Sequence, residues 1–247
     1  MQGKSDIAAV VLAAGKGVRM KSDLPKVFHG LAGKPMIEHV VNTLKKIGVE
    51  KMFIVVGHKK ELIIDHFRGS DVRFVEQKEQ LGTGHAVMQA EPYLKDFSGR
   101  VLVLAGDVPL LRSKTIQKLI DFHVSHHSSA TVLTAELPDA GNYGRIIRNQ
   151  DGLILKIVEK KDANPEELKI REINTGTFCF ESKALFLALS QVKPENAQKE
   201  YYLTDTIEIL RRQGLPVFAC LADDYKETLG VNTKEELEEL EALMPDD

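Results

Sequence analysis

The amino-acid sequence predicts an α/β fold built on a doubly wound, mostly parallel sheet. Three observations support this prediction. Short apolar runs alternate with helix-like segments in the first half of the chain, an order that favours a parallel sheet with right-handed crossovers. The apolar runs are continuous, as expected for strands that are buried on both faces. Several runs end in glycine or a polar residue, and open α/β sheets bind ligands at the carboxyl ends of their strands.

The elements of the first half follow from these patterns in chain order. Strands are expected at IAAVVLAAG, KMFIVVGH, VRFVEQ, RVLVLAGD and ATVLTAEL. Helices are expected at KPMIEHVVNTLKKIG, in residues 59–67, at GTGHAVMQAEPYL and at SKTIQKLIDFHVSHH. Pro35 suits the first position of the first helix, and Gly48 suits its end. Thr83 is a candidate N-cap for the third helix.

The pattern changes after Pro138. The stretch YGRIIRNQDGLILKIVEK predicts two short strands around an Asn-Gln-Asp-Gly turn. Another strand is expected at NTGTFCFES, then a helix to Leu189, a polar loop entering the helix TDTIEILRRQG, and a late strand at LPVFACLA. We therefore expect a small β-rich lid inserted over the same sheet, with a separate small domain as the alternative.

The last stretch, TKEELEELEALMPDD, predicts an acidic helix with Leu237, Leu240 and Leu243 on one side. Such a helix either docks on the domain with its acidic face in solvent or binds a partner. The docked arrangement is the simpler prediction.

Composition limits the function classes. The 247 residues carry 33 Lys and Arg against 36 Asp and Glu, a net charge of −3, which gives no electrostatic footprint for nucleic acid. No apolar run approaches the roughly 18 residues that span a bilayer. Basic residues directly follow the first apolar run, which disfavours a signal peptide. Cys179 and Cys220 lack C-x-x-C spacing, and we expect buried thiols in a reducing, cytoplasmic compartment.

A glycine-rich loop follows the first strand but matches neither standard phosphate-binding motif. A Walker A loop needs Ser or Thr after its Gly-Lys, where this chain has Gly17, and the dinucleotide motif needs a glycine where Met20 stands. The glycines still let backbone N–H groups approach phosphate oxygens. Arg19 and Lys26 can supply positive charge to a polyphosphate. The alternative is a tight surface turn with solvated basic residues.

Two further features are candidates for a metal site. Asp107 directly follows a buried strand, and one carboxylate with substrate phosphates is how Mg²⁺ is usually held. The alternative is an Asp that caps the next segment. His123, His126 and His127 share a helix face, but without an H-E-x-x-H pattern or an acidic third ligand we expect an exposed helix end instead.

The ordered set of motifs resembles one family. The matching stretches are LAAGKGVRMKSDLPKVFHGLAGKPM, EQLGTGHAV, GDVPLL, YGRIIR, IVEKKDA, EINTGTF, EYYLTD and GVN, which run from Ile7 to Asn232. They are similar to the uridylyltransferase (pyrophosphorylase) domain of bacterial N-acetylglucosamine-1-phosphate uridylyltransferase, in the sugar-nucleotide pyrophosphorylase superfamily. The resemblance implies a Rossmann-like fold of the nucleotide-diphospho-sugar transferase type. It also implies Mg²⁺-dependent synthesis of UDP-N-acetylglucosamine and pyrophosphate from UTP and N-acetylglucosamine-1-phosphate.

The resemblance also implies residue roles. Arg19 and Lys26 would grip the triphosphate, and Asp107 and Asn232 would bind Mg²⁺. The residues expected at the substrates are Leu12, Ala13, Ala14 and Gly15 beside the nucleotide, Gln77, Gly82 and Thr83 at the uracil, Ala105 and Gly106 at the nucleoside, and Gly144, Glu159 and Asn174 at the sugar and its N-acetyl group. One domain is expected over residues 1–247, with a nucleotide-binding half (1–137), a sugar-binding half (138–232) and the acidic helix (233–247).

The chain departs from the family pattern in a few places. Val18 stands where the family usually has Thr, and Phe28 and Gly30 alter the segment after Lys26. The hexapeptide-repeat β-helix that acetylates glucosamine-1-phosphate in the bifunctional family does not occur in this sequence. The chain therefore acts alone or was cut from a longer protein, and Met-Pro-Asp-Asp at its end is typical of a natural terminus. Because the family's trimer is built largely by the β-helix, we expect a monomer or dimer.

Two alternatives to this activity stay open. A related stand-alone nucleotidyltransferase would use another NTP or another sugar-1-phosphate. A non-catalytic regulator would bind the UDP-sugar and release no pyrophosphate. In each case the partners are small molecules, with neither nucleic acid nor membrane involved.

Overall fold

The computed structural model describes residues 6–243, which form a mixed β-sheet flanked by helices. The strands are β1 (Ile7–Ala13), β2 (Gly30–Leu31), β3 (Lys34–Pro35), β4 (Lys51–Val56), β5 (Val72–Glu76), β6 (Arg100–Ala105), β7 (Ala130–Glu136), β8 (Arg145–Arg148), β9 (Ile154–Val158), β10 (Glu172–Glu181) and β11 (Val217–Leu221). The helices are α1 (Met36–Lys46), α2 (Lys60–His66), α3 (Thr83–Met88), α4 (Glu91–Leu94), α5 (Ser113–Ser125), α6 (Ser182–Leu189), α7 (Asp205–Arg212) and α8 (Lys234–Glu241).

The main sheet has the strand order β11-β7-β10-β6-β1-β4-β5. Neighbours β6, β1, β4 and β5 are parallel, as are β7 and β11. Strand β10 runs antiparallel to both β6 and β7, between which it lies. The hairpin of β8 and β9 joins this sheet through the pairing of Ile173 in β10 with Arg145 in β8. The prediction of a doubly wound, mostly parallel sheet with a small β-rich insertion is confirmed.

The buried core lies on both faces of the sheet. Val10 and Val11 are adjacent in β1 and fully buried on opposite faces, because successive side chains of a strand alternate in direction. Val10 packs in the cluster that includes α3, α6 and α7, and Val11 packs in the cluster that includes α1, α2 and α5. This two-sided burial explains why the apolar runs in the sequence are continuous.

Helix caps differ from the predictions at Pro35 and Thr83, and the helix predicted at GTGHAVMQAEPYL is divided into α3 and α4. Pro35 precedes the first helix, which begins at Met36, whereas Gly48 ends that helix with a positive φ of 79°, as predicted. Thr83 is the first residue of α3 and not its N-cap, because Gly82 precedes the helix with a φ of 111°. The Thr83 hydroxyl instead accepts a hydrogen bond from the Leu203 N–H at 3.1 Å, so a tertiary contact replaces the local cap.

The prediction that His123 lies on an exposed helix end is wrong. Its side chain is 1% exposed, and Nδ1 lies 2.9 Å from Thr131 Oγ1. Burial lowers the pKa of His123 to about 4, so the ring is a neutral core group at pH 7. His126 is exposed and stacks on Phe122 with ring centroids 3.9 Å apart. Within residues 6–243 no group of three or more His, Cys, Asp or Glu side chains is arranged to hold a metal ion.

The C-terminal helix α8 docks on the domain. Leu240 is buried and packs in a small cluster with Met20, Leu31, Met36 and Val231, while Leu243 is 41% exposed. The cluster joins the loop after β1 to the start of α1 and to α8. The predicted natural terminus at residues 244–247 lies outside the described residues, and the division into nucleotide and sugar halves stays a prediction.

Two further predictions concern the cellular compartment of the chain. Cys179 and Cys220 are both buried and free of disulfide bonds. Over the part of the chain that the structure describes, no helix combines the length and apolarity needed to cross a membrane.

Candidate active site

Two adjoining cavities lie at the carboxyl ends of the central parallel strands. The larger has a volume of about 740 Å³ and the smaller about 290 Å³. Thr83, Ala105 and Asp107 line both cavities, so the two spaces meet at the end of β6. This is the edge at which α/β sheets bind ligands.

The structure distributes the predicted site residues between these cavities. Those lining only the smaller cavity are Leu12, Ala13, Ala14, Gly15, Lys26, Gln77 and Gly82. Those lining only the larger cavity are Arg19, Gly144, Glu159, Asn174 and Asn232. Gly106 lies between two lining residues, and its N–H donates to Leu12 O at 2.9 Å. All the predicted site residues therefore lie in or next to one continuous space.

Four polar side chains meet between the cavities. The Lys26 ammonium contacts Asp107 Oδ2 and also donates to Asn232 Oδ1 at 3.2 Å. Arg19 donates to the same Asn232 oxygen at 2.8 Å. The Lys26 and Asp107 side chains are only 20% and 14% exposed, so this ion pair is weakly screened by solvent. The Val231 N–H donates to Asp107 O at 3.0 Å, which brings the C-terminal segment to β6.

The loop after β1 places the two basic residues by its backbone shape. Gly17 has a φ of 63°, a left-handed conformation that glycine adopts without strain. A short 3₁₀ turn, Val18–Met20, then carries Arg19, with Met20 buried as its anchor. A second 3₁₀ turn begins at Lys26. A Cβ at Gly17 would lie 2.6 Å from the Lys26 Cβ, so the glycine allows close packing against the catalytic candidate.

The Gly17→Ala variant is expected to displace Lys26. The added methyl group overlaps the Lys26 backbone and side chain, and the positive φ adds strain. We expect turnover to fall roughly tenfold because a charged group is misplaced by a fraction of an ångström. The matched control is Gly30→Ala, where a Cβ meets nothing within 4 Å. Steady-state kinetics with melting temperatures tests this, and wild-type turnover in Gly17→Ala would contradict it.

Hydrogen bonds fix the loop that lines the smaller cavity. Gln77 is 3% exposed, and its amide nitrogen lies 3.1 Å from Gly82 O and 3.0 Å from His85 Nδ1. The Gly84 N–H donates to Tyr201 O at 2.7 Å. These contacts fix the loop from Gln77 to the start of α3 against the segment that precedes α7.

The other predicted residues line the larger cavity. The Asn174 N–H donates to Gly144 O at 2.9 Å, which fixes the turn before β8 beside an irregularity in β10. Glu159 Oε1 accepts a hydrogen bond from the Thr204 hydroxyl at 3.1 Å. Burial raises the pKa of the Glu159 carboxyl, and the charges of Asp162 and Glu200 add to the shift. The cavity thus offers an amide, a backbone turn and a poorly solvated carboxyl group.

Sequence reasoning missed part of the cavity wall. The Tyr143 hydroxyl accepts from the Gly230 N–H at 2.8 Å, and burial raises the pKa of Tyr143. Glu236, on α8, lines the larger cavity and accepts from the Asn232 N–H at 2.6 Å. The Thr-x-x-Glu spacing that begins at Thr233 could have indicated Glu236, since it is the pattern of a capping box. Tyr143 begins the stretch YGRIIR, but no residue pattern in that stretch assigns its side chain to the cavity wall.

Comparisons with known proteins support one family. A profile of MobA-like NTP transferase domains matches residues 9–225. The chain is 52% identical over 236 residues to the bifunctional protein GlmU of Streptococcus gordonii, covering 96% of the chain and 51% of that protein. It is 51% identical over 240 residues to the bifunctional protein GlmU of Brevibacillus brevis, covering 97% of the chain and 52% of that protein. The chain spans about half the length of the curated relatives it matches.

A solved structure supports the fold independently. A crystal structure from Bacillus anthracis, described as a glucose-1-phosphate thymidylyltransferase, superposes with a TM-score of 0.76 over 96% of this chain and 94% of that one. The sequence identity of 21% restricts this likeness to the fold. Together with the profile that matches most of the sequence, these similarities show that the chain belongs to the family of MobA-like NTP transferase domains.

Proposed function

We propose that this chain is a sugar-1-phosphate nucleotidyltransferase that makes UDP-N-acetylglucosamine and pyrophosphate from UTP and N-acetylglucosamine-1-phosphate. One observation carries the proposal: two cavities meet at a centre that contains Arg19, Lys26, Asp107 and Asn232. The glycine-rich loop lines the smaller space, which we assign to the nucleotide, and Glu159 and Asn174 line the larger one, which we assign to the sugar phosphate. Reaction between the two substrates requires such a junction, because the bond forms where they meet.

The proposed reaction is an in-line displacement at the α-phosphorus of UTP. A phosphate oxygen of the sugar-1-phosphate forms the new P–O bond, and the bond from the α-phosphorus to the bridging oxygen of pyrophosphate breaks. The nucleophile is already anionic, so no general base is needed. The protein lowers the barrier by holding two anions together and by stabilising the charge that develops between them.

Lys26 and Arg19 supply the positive charge in this proposal. Lys26 lines the nucleotide cavity, and Arg19 lines the sugar cavity, so the α-phosphate of the transferred uridylyl group lies between them. Arg offers a planar fork of donors and Lys a compact charge. Both side chains are tethered to Asn232, which preorganises them before substrate arrives.

Asp107 and Asn232 fit a Mg²⁺ ion. Their side-chain oxygens both contact the Lys26 ammonium, so they already converge on one cationic point. One or two carboxylate or amide oxygens, completed by water and substrate phosphates, form the usual Mg²⁺ site of nucleotide enzymes. When bound, the ion supplies neutralisation of phosphate charge and orientation of the triphosphate. Lys26 would add its positive charge to the substrate phosphates beside the ion.

The remaining residues recognise the substrates. On the nucleotide side they are Leu12, Ala13, Ala14, Gly15, Gln77, Gly82, Thr83, Ala105 and Gly106. On the sugar side they are Gly144, Glu159 and Asn174. A carboxylate and an amide in the larger cavity suit the hydroxyl and N-acetyl groups of an amino sugar, because each offers oriented hydrogen-bond partners.

A substrate panel tests the proposal against its two alternatives. Four NTPs are each combined with N-acetylglucosamine-1-phosphate, glucosamine-1-phosphate and glucose-1-phosphate, and pyrophosphate release is measured with and without Mg²⁺. We expect the fastest release with UTP and the N-acetylated sugar. A different preferred pair would favour the related nucleotidyltransferase. Binding of UDP-sugar without pyrophosphate release from any pair would favour the regulator.

Partners and location remain part of the proposal. We propose that UTP and the sugar phosphate are the partners, and that the chain acts in the cytoplasm, where UTP is available. The expectation of a monomer or dimer stays a prediction, and size-exclusion chromatography with light scattering measures it directly.

A further inference from the structure

Residues 200–204 form a segment that contacts the walls of both cavities. We call this segment the strap. On the nucleotide side, Tyr201 O accepts from the Gly84 N–H at 2.7 Å. The Leu203 N–H donates to the Thr83 hydroxyl at 3.1 Å. The strap therefore holds the loop that lines the smaller cavity.

The end of the strap reaches the larger cavity through Thr204. This residue is 4% exposed, and its hydroxyl donates to Glu159 Oε1 at 3.1 Å. Glu159 lines the larger cavity, so Thr204 lies one hydrogen bond away from the proposed sugar site. A buried hydroxyl that donates to a carboxylate fixes the rotamer of that carboxylate.

Glu159 depends on this donor because its surroundings are unfavourable to a carboxylate. It is largely removed from solvent, and Asp162 and Glu200 place negative charge nearby. Asp205, which follows Thr204, experiences the charge of Glu159 in turn. A poorly solvated carboxylate among like charges needs a hydrogen-bond donor to keep its position.

We propose that Thr204 is a positioning residue for the sugar-1-phosphate: its hydroxyl orients Glu159 and so sets the affinity for the sugar half of the substrate. The inference rests on the proposed function, because it takes the larger cavity as the sugar site. Thr204 acts through Glu159 and does not take part in uridylyl transfer.

The Thr204→Val variant tests this with two ligands. Valine keeps the shape of threonine and removes the hydroxyl, and isothermal titration calorimetry measures the dissociation constants of UDP-N-acetylglucosamine and of UDP. We expect the first constant to rise about tenfold, the size expected for loss of one hydrogen bond to a charged group. The constant for UDP, which has no sugar, should change by less than about twofold. In steady state, KM for the sugar phosphate should rise while KM for UTP stays constant.

Matched variants separate positioning from stability. Ser182→Ala removes another buried hydroxyl, which donates to Leu94 O at 3.1 Å and lies outside the strap and both cavities, and should leave both dissociation constants unchanged. Thr204→Ser keeps the hydroxyl and should restore UDP-N-acetylglucosamine binding. In a Glu159→Ala background, Thr204→Val should have no further effect, because the two residues act as one unit. Thr204→Ala serves as a second test if the valine variant does not fold.

Three outcomes of these binding measurements decide whether Thr204 positions Glu159. A selective loss of UDP-N-acetylglucosamine affinity supports the inference. Unchanged affinity, or equal loss for UDP, overturns it, since equal loss would mean that Thr204 only maintains the strap and its nucleotide loop. Absence of UDP-N-acetylglucosamine binding to the wild-type chain would instead overturn the proposed function, and the inference with it.

Discussion

The Lys26→Ala variant is expected to turn over about 10²–10³-fold more slowly than the wild type, the usual effect of removing one preorganised group that stabilises transition-state charge. Lys26 is the cation at the junction of the two cavities, in contact with Asp107 and Asn232. Arg19 donates to the same Asn232 oxygen but lines only the larger cavity, so it does not replace the Lys26 charge on the nucleotide side. Pyrophosphate release measured at saturating substrates reports the loss.

The control for this variant is in the same loop. Lys16 is exposed and follows Gly15 as a Walker lysine would, yet it makes none of the contacts of the charged centre described above. Lys16→Ala should stay within a few-fold of wild-type turnover, the range expected for a surface change. Circular dichroism and the melting temperature establish that both variants fold. A folded Lys26→Ala enzyme with near-wild-type turnover would show that the charged centre is not catalytic.

The Asp107→Asn variant is expected to bind Mg²⁺ much more weakly than the wild type. Asparagine keeps the shape of the side chain but removes the charge that attracts Mg²⁺ and pairs with Lys26. Changes in groups that merely support metal ligands alter metal affinity by about 10–100-fold, and we expect a rise of at least this order in the Mg²⁺ concentration for half-maximal rate. Titration of the rate with Mg²⁺ at fixed substrates measures it.

A neighbouring acidic residue provides the comparison. Glu239 lines the larger cavity from α8, so Glu239→Gln removes a charge from the same space without touching the proposed ligands. Its Mg²⁺ titration should match that of the wild type. If Asp107→Asn and Glu239→Gln both titrate like the wild type, Asp107 is not a metal ligand.

The sequence predicts the parallel part of the fold well because each strand there carries its own signal. The run around Val10 and Val11 is apolar throughout since both faces are covered. Strand β10 gives no such indication of its direction. It reaches the sheet centre from the second half of the chain and pairs antiparallel with β6 and β7, and this depends on long-range packing that periodicity does not encode.

The candidate site likewise has residues that local sequence signals predict and residues that only long-range packing places there. Glycine and charged residues at strand ends mark Gly15, Lys26 and Asp107 as candidates, because the chemistry of an α/β sheet lies at that edge. Residue patterns alone could not bring Asn232 to Asp107. Their convergence on Lys26 depends on the Val231 backbone hydrogen bond and on the docking of α8. Only the resemblance to a family indicated that pairing.

The local predictions for Thr83 and His123 failed because tertiary contacts supplied the hydrogen bonds of these two side chains. Thr83 resembles an N-cap in the sequence, yet its hydroxyl serves the strap through Leu203. His123 resembles a surface histidine, yet α5 directs it into the sheet, where it meets Thr131. A polar side chain can bond to its own segment or to water, or it can bond to another element, and tertiary packing decides which of these it does.

The central claim is that the α-phosphorus of UTP is transferred to the sugar phosphate at the junction of the two cavities. Two samples of UTP, one with radioactive phosphorus at the α position and one at the γ position, are each incubated with the chain, N-acetylglucosamine-1-phosphate and Mg²⁺. We predict that the α label appears in UDP-N-acetylglucosamine and the γ label in pyrophosphate. Appearance of the γ label on the sugar product, or in inorganic phosphate as the primary product, would contradict the account.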